Sequence, residues 1–148
     1  MKKVITILAL SIFCMMLSAA QADEVDTTLD IGFWSYHFER EYEEDECVNE
    51  KHDAIVLHKK NISIGGYKNT HCRQSFVLGY NRAMYKDDDQ EVTVEIMTVS
   101  GYPSSMHAIG PLIVIPTINY RLYPTKNMGV KFVLVPSVLV GIGFSHRF

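Results

Sequence analysis

The strongest constraint on this chain is the alternation of side chains along its last segment, Val138 to Phe148. One face of that segment carries Val140, Ile142, Phe144, His146 and Phe148, and the other carries Leu139, Gly141, Gly143, Ser145 and Arg147. Alternation of this kind predicts a β-strand with one apolar face. A last strand that closes on an aromatic residue is typical of bacterial outer-membrane barrels. The segment therefore predicts an outer-membrane location, a surrounding lipid phase and a β-barrel fold.

The other end of the chain favours the same compartment. Lys2 and Lys3 precede an apolar run over 4–17, and Ala20-Gln21-Ala22 forms a small-x-small cleavage site. The run is shorter than the roughly 20 residues that a spanning helix needs. We therefore expect a secretory signal peptide over 1–22, which would remove Cys14, and a β-barrel domain over 23–148.

Alternating segments recur along the rest of the chain. Counting the last one, they predict eight strands, near 29–38, 52–59, 61–68, 74–84, 90–100, 111–122, 129–135 and 138–148. Eight strands form the smallest common barrel. No second apolar run has the length of a transmembrane helix, so the predicted fold class is all-β, an eight-stranded antiparallel transmembrane β-barrel. An even strand number places both termini on one side, which we expect to be periplasmic, with the connections 39–51, 69–73 and 101–110 facing outward.

Charge and cysteine content narrow the function further. The formal net charge of -3 and the interspersed acids and bases leave no basic stripe, so we expect no nucleic-acid partner. An oxidising compartment permits a Cys47–Cys72 disulfide, and two unpaired thiols are the alternative. His37, His52 and His71 lack the spacing of a metal site, so we expect neither a metal nor a cofactor.

Alternation also assigns side chains to the two faces of the predicted barrel. The outward face is apolar and comprises Ile31, Phe33, Ile62, Ile64, Phe76, Leu78, Tyr80, Val92, Val94, Ile96, Leu112, Val114, Ile118, Val130, Phe132 and Leu134. The inward face is polar towards the periplasm (Glu95, Asn119, Arg121, Lys131, Ser145, Arg147) and apolar towards the outside (Met97, Val99, Ile113, Ile115, Val133, Val135, Leu139). The apolar part predicts a pocket for hydrocarbon, with a packed core as the alternative.

Glycines and prolines bear on that choice. Gly65, Gly79, Gly141 and Gly143 fall on the inner wall, where they leave space or mark bends. Pro116 lies inside the sixth predicted strand and Pro136 at the end of the seventh, and each removes a hydrogen-bond donor from the ladder. We expect a weak seam between strands at both prolines, through which a lipid tail could enter sideways.

One block of sequence resembles a known family. The segment YKNTHCRQSFVLGY, from Tyr67 to Tyr80, resembles without a gap the stretch of the PagP-like lipid A palmitoyltransferases that carries their Lys-Asp-Ser catalytic element. Trp34 and His37 resemble the Trp-His that supplies the family's catalytic histidine, and Val48-Asn49-Glu50 resembles its Tyr-Asn-Glu. Pro116 and Pro136 match the prolines beside one of its lateral seams. The similarity covers nearly all of the predicted mature chain thinly, and the Tyr67–Tyr80 block is its specific part.

The resemblance implies an outer-membrane enzyme that moves an acyl chain from a phospholipid donor to the lipid A acceptor. It implies His37 as general base, Thr70 in place of the family's serine, and Asn69 in place of its aspartate. Thr70 keeps a hydroxyl for nucleophilic or proton-relay chemistry, with an added methyl group. Asn69 keeps a carbonyl that can orient an imidazole but has no charge to stabilise imidazolium. These departures predict a slower or diverged enzyme.

Without the resemblance, the predicted topology shows only that these residues could meet at one end of the barrel. It places His37 at the outer end of the first strand and Asn69 and Thr70 in the second outer loop. Alternation from Ile31 and Phe33 would point His37 towards lipid, so the prediction requires a bulge or a strand end before it.

Several alternatives stay open at this point. Ser75 with His71 is a rival pair at the same rim, and Cys72 could act as a thiolate. The whole chain could instead be a lipid-binding or adhesion barrel without chemistry, or a structural barrel with a packed interior.

Overall fold

The computed structural model describes residues 27–38, 47–106 and 108–148, and the predicted signal peptide lies outside them. The described strands are β1 Thr27–His37, β2 Lys51–Lys59, β3 Ile62–Lys68, β4 Gln74–Lys86, β5 Gln90–Val99, β6 Ile113–Leu122, β7 Met128–Val135 and β8 Leu139–Arg147. A short 3-10 helix, Ser104–Met106, follows β5.

These strands form a closed antiparallel barrel in chain order, and β8 pairs with β1 to complete it. The prediction of an all-β, eight-stranded barrel is confirmed. The two ends are named by their connections. The loop end carries the described residues 38, 47–50, 69–73, 100–106, 108–112 and 136–138, and the turn end carries 60–61, 87–89 and 123–127. β1 begins and β8 finishes at the turn end.

The barrel is apolar outside and mostly polar inside. Among the described residues, buried polar side chains outnumber buried apolar ones, and Glu95, Asn119 and Arg121 are each at most 3% exposed. Exposed apolar side chains include Ile31, Ile55, Ile62, Ile64, Phe76, Leu78, Tyr80, Val114, Ile118, Phe132, Leu134, Val140, Ile142 and Phe144. Within the described ranges, no helix is long and apolar enough to cross a membrane.

A bulge at Gly32 corrects one facing assignment. The register of β1 shifts between Ile31 and Phe33 against both of its neighbours, and Gly32 adopts a φ of 65°. Because a bulge inserts one residue, it reverses the alternation beyond it. Ile31 is outward as predicted, but the outward prediction for Phe33 is wrong, since its side chain lines the interior. The same shift turns His37 inward, as the sequence argument required.

The interior divides along its length as predicted. Towards the turn end, Asp30 binds Arg121, Lys131, His58 and Ser145 in one buried network. Towards the loop end, Val77, Val99 and Ile113 pack together. Beside them lies a cavity of about 110 Å³, and its apolar wall consists of Phe33, Val77, Met97, Ile115, Val133, Val135 and Leu139.

Two hydrogen-bond ladders of the barrel are incomplete towards the loop end. Pairing between β6 and β7 runs from Leu122–Val130 only as far as Ile118–Leu134, so the part of β6 that contains Pro116 pairs with β5 alone in the described ladder. This agrees with the seam predicted at Pro116. Pro136 lies beyond the end of β7, and β7 pairs with β8 as far as Val135–Leu139. A second gap was not predicted: β2 and β3 pair only from Lys59–Ile62 to Ile55–Gly66.

Candidate functional site

His37 and Thr70 meet inside the loop end of the barrel. Thr70 Oγ1 lies 3.3 Å from His37 Nε2, and both residues are buried. His37 is the last residue of β1 and faces inward because of the bulge at Gly32. A neutral imidazole nitrogen at this distance can accept the hydroxyl proton, which is the contact that general-base chemistry needs.

The loop that carries Thr70 is fastened from several sides. The backbone N–H of Asn49 donates to Thr70 O at 2.8 Å, and the Asn49 amide donates to Lys68 O at 2.9 Å. The predicted disulfide between Cys47 and Cys72 is present and joins the first loop to this one. These contacts fix the position of Thr70 opposite His37.

Asn69 is fully buried and binds within the loops. Its Nδ2 donates to Ser75 Oγ and to Gly101 O, both at 3.0 Å, while its Oδ1 accepts from Arg73 N. One amide hydrogen bond therefore joins loop 69–73 to the start of β4, and the other joins it to the β5–β6 loop. The role implied for Asn69 in orienting the imidazole stays a prediction.

The contact of Asn69 with Gly101 depends on that glycine. Gly101 has a φ of 84°, and a Cβ atom there would lie 2.5 Å from Gln74 O. Only glycine combines this backbone conformation with such a close approach. The docking of the β5–β6 loop in turn brings Tyr102 over the cavity.

Two tyrosines extend the site beyond the residues proposed from sequence. Tyr67 Oη and Tyr102 Oη are 3.0 Å apart, and Tyr102 also hydrogen-bonds the Thr70 side chain. Tyr67, Thr70 and Tyr102 all line the cavity. Burial raises the pKa of Tyr102, so its hydroxyl keeps its proton at neutral pH.

A second histidine lies near the same cavity. His52 Nε2 is 2.8 Å from Ser35 Oγ and its Nδ1 is 2.7 Å from Lys68 O. The carbonyl requires a proton on Nδ1, so Nε2 accepts from the serine when the imidazole is neutral. His52 lines the cavity, but Ser35 does not. The bond from His52 to Lys68 O spans the gap between β2 and β3 and fastens Lys68, two residues before Thr70.

A third cluster has the hydrogen-bond pattern of a catalytic triad, but its serine is not accessible to a substrate. Ser63 Oγ lies 2.7 Å from His58 Nδ1, and His58 Nε2 lies 2.7 Å from Asp30 Oδ2. Ser63 is 0% exposed, and Asp30 is shared with Arg121 and Lys131. A nucleophile must reach its substrate, so this cluster serves as a structural network that closes the turn end.

The rival groups considered from sequence have other partners. Ser75 Oγ accepts from Asn69, and the His71 ring packs edge-on against Tyr102 at 5.8 Å between centroids. Cys72 is held in the disulfide and carries no thiolate. Of the rim residues, His37 and Thr70 therefore form the best placed base and hydroxyl.

Replacing Asn69 by aspartate is expected to destabilise the barrel by about 2–3 kcal/mol. A carboxylate cannot donate to Gly101 O or Ser75 Oγ, and it would bring a buried charge against a carbonyl oxygen. Thermal unfolding in detergent micelles measures the effect. Asn61→Asp is the matched control, because the Asn61 amide binds Tyr80 Oη at an exposed site. Equal melting temperatures for Asn69→Asp and wild type would contradict the fastening role.

Comparisons with protein-family models, curated proteins and solved structures gave no match to this chain. In the described part of the chain, no group of three or more His, Cys, Asp or Glu side chains could hold a metal ion.

Proposed function

We propose that this chain is an outer-membrane acyltransferase that moves a fatty acyl chain from a phospholipid to lipid A. The observation that carries the proposal is the contact of 3.3 Å between His37 and Thr70 at the loop end of an apolar cavity. A base and a hydroxyl beside a space of hydrocarbon character suit the transfer of an acyl chain.

The outer surface supports a membrane environment. Its exposed large side chains are apolar while most buried side chains are polar, as expected of a barrel surrounded by lipid. Exposed aromatic side chains lie near both ends, with Trp34 and Tyr36 at the loop end and Tyr85 and Phe148 at the turn end. In this arrangement the turn end and both termini are periplasmic, and the loop end faces the outer leaflet.

The cavity suits part of one acyl tail of the donor, since its volume of about 110 Å³ is smaller than that of a whole fatty acyl chain. Its wall is apolar, and its floor is formed by the polar side chains of Asp30, Thr117, Asn119 and Lys131. The incomplete β6–β7 ladder beside Pro116 provides a lateral path from the surrounding lipid. An acyl tail bound in the cavity places the ester group of the phospholipid near Thr70. This proximity contributes to the rate of transfer.

The reaction proceeds in two balanced steps. First, Thr70 Oγ bonds to the acyl carbon while its proton passes to His37 Nε2; the ester bond to glycerol breaks, and the departing lysophospholipid oxygen takes that proton. Second, an acceptor hydroxyl of lipid A gives its proton to His37 and bonds to the acyl carbon. The bond to Thr70 Oγ then breaks, and that oxygen recovers the proton from His37.

The resemblance of the Tyr67–Tyr80 segment to the PagP-like family supports the choice of donor and acceptor. It aligns Thr70 with a catalytic serine and Asn69 with an aspartate. The fold, with eight strands, is the fold that the resemblance implies.

The test is expression in an outer-membrane host that lacks a lipid A palmitoyltransferase of its own. Mass spectrometry of extracted lipid A is expected to show one added acyl chain with the wild type and none with His37→Ala, a loss on the order of 10²–10⁴-fold in transfer. His146→Ala, which removes a half-buried histidine at the turn end that contacts Met128 and Phe148, is the matched control and keeps the product. Identical lipid A from wild type and His37→Ala would refute the proposal.

A second candidate is a lipid-binding barrel without turnover. The observation that favours it is the use of both Asn69 amide protons in fastening the loops. It predicts co-purified phospholipid in native mass spectra of the wild type and no change in lipid A in the same host.

A further inference from the structure

Four polar side chains form one chain of hydrogen bonds at the loop end. His37 Nε2 contacts Thr70 Oγ1 at 3.3 Å, Thr70 contacts Tyr102, and Tyr102 Oη contacts Tyr67 Oη at 3.0 Å. Three different parts of the barrel supply these residues: the end of β1, β3 with its following loop, and the β5–β6 loop. Thr70, Tyr102 and Tyr67 all line the cavity.

The direction of this chain follows from proton counting. Each hydroxyl carries one proton to donate. When His37 Nε2 acts as a base, the Thr70 hydroxyl donates its proton to that nitrogen. In the bond between Thr70 and Tyr102, the Tyr102 hydroxyl must therefore be the donor. Tyr102 then has none left for Tyr67, and Tyr67 donates to Tyr102. All three protons point towards His37.

We propose that Tyr102 and Tyr67 form a hydroxyl relay that stabilises negative charge on the Thr70 oxygen during acyl transfer. This inference rests on the proposed function and adds two residues to its machinery. Tyr102 touches the reacting oxygen and is a catalytic residue. Tyr67 acts through Tyr102 and is a positioning residue.

The relay acts in both steps of the transfer. In the first step, the Tyr102 hydrogen bond lowers the cost of moving the Thr70 proton to His37. In the second step, the Thr70 oxygen is the leaving group, and the same bond stabilises the charge that it gains as the acyl bond breaks. A fixed donor in a buried, apolar site stabilises such charge more than water does. No atom of either tyrosine is consumed.

The test measures transfer from palmitoyl phosphatidylethanolamine to purified lipid A by the full-length protein in mixed micelles. Tyr102→Phe is expected to lower kcat on the order of 10²-fold and to leave KM within about twofold. Tyr67→Phe is expected to lower kcat less, on the order of three- to tenfold. Tyr120→Phe, which removes a phenol hydroxyl bonded to Gln90 near the turn end, is the matched control and keeps the wild-type kcat.

The double variant Tyr67→Phe with Tyr102→Phe distinguishes a hydroxyl relay from independent packing effects of the two tyrosines. Because Tyr67 acts only through Tyr102, Tyr67→Phe is expected to cost nothing further in a Tyr102→Phe background. Losses that multiply, a kcat for Tyr102→Phe within twofold of wild type, or an effect confined to KM would each overturn the relay while leaving the proposed function intact. A wild type without any transfer would refute the proposed function itself. Melting temperatures of all variants identify any loss that comes from unfolding.

The direction of the relay has a readout that needs no turnover. Nitrogen chemical shifts of ¹⁵N-histidine-labelled protein in micelles distinguish the two imidazole tautomers, and the His37 signals are assigned by their disappearance in His37→Ala. The relay requires the tautomer with its proton on Nδ1, because Nε2 accepts from Thr70. A proton on Nε2 of the neutral ring would reverse the chain and overturn the relay.

Discussion

Replacing Thr70 by alanine is expected to lower acyl transfer by 10³-fold or more, on the order of the loss seen when a nucleophile is removed, whereas serine is expected to stay within about tenfold of wild type. The hydroxyl lies 3.3 Å from the only atom proposed to take its proton, so alanine leaves His37 without a nucleophile to activate. Serine keeps the oxygen and removes only the methyl group, which leaves one more χ1 rotamer accessible. The assay is initial-rate transfer from phosphatidylethanolamine to lipid A.

The same pair of variants reports on the covalent intermediate. With donor alone, intact mass spectrometry is expected to show an acyl adduct on the wild type and on Thr70→Ser, and none on Thr70→Ala. Thr98→Ala is the matched control, because the Thr98 hydroxyl also makes one hydrogen bond, to Leu78 O, on a different strand. Wild-type turnover by Thr70→Ala would exclude Thr70 as the nucleophile.

The barrel could be predicted from sequence because alternation is a local property. Each strand has one face in contact with a polar or packed interior and one exposed face, so the pattern with period two is repeated in every strand. The strand ends moved by a few residues, as for β6, which begins at Ile113 rather than near 111. Phe33 was misplaced because a single glycine in the left-handed region at Gly32 shifts the register, and alternation carries no signal of it.

The inner glycines show a similar limit. Gly141 was expected to leave space or to mark a bend, and a Cβ atom there would overlap the ring of Phe33. The space that this glycine leaves is therefore filled by a side chain that the bulge turns inward. Gly141 and the bulge at Gly32 thus complement each other across the β1–β8 pair. Their fit can be recognised only once the register of the two strands is known.

The site was only partly predictable for a related reason. His37 and Thr70 could be named from the resemblance, and alternation from Ile62 and Ile64 would have placed Tyr67 inward at the loop end of β3. Tyr102 could not be found in this way, because it lies in an irregular loop. Its position depends on the bond between Asn69 and Gly101, which joins residues that are 32 apart in the chain.

Replacing Asp30 by asparagine is expected to produce the largest loss of stability, about 3–5 kcal/mol. Asp30 is 5% exposed and its carboxylate accepts hydrogen bonds from Arg121, Lys131 and Ser145, so the neutral amide would leave two buried cations without their shared counter-charge. Urea unfolding in micelles measures the change.

The double variant Asp30→Asn with Lys131→Met distinguishes loss of the counter-charge from loss of packing. It is expected to regain part of the stability, because removing both partners of a buried ion pair costs less than removing one. Asp89→Asn, at an exposed position of the turn end, is the matched control and is expected to unfold at the wild-type urea concentration. A cost below about 1 kcal/mol for Asp30→Asn would mean that water already solvates this network. The turn end would then be open to water, and the polar floor beneath the proposed acyl cavity would no longer be a dry, fixed boundary.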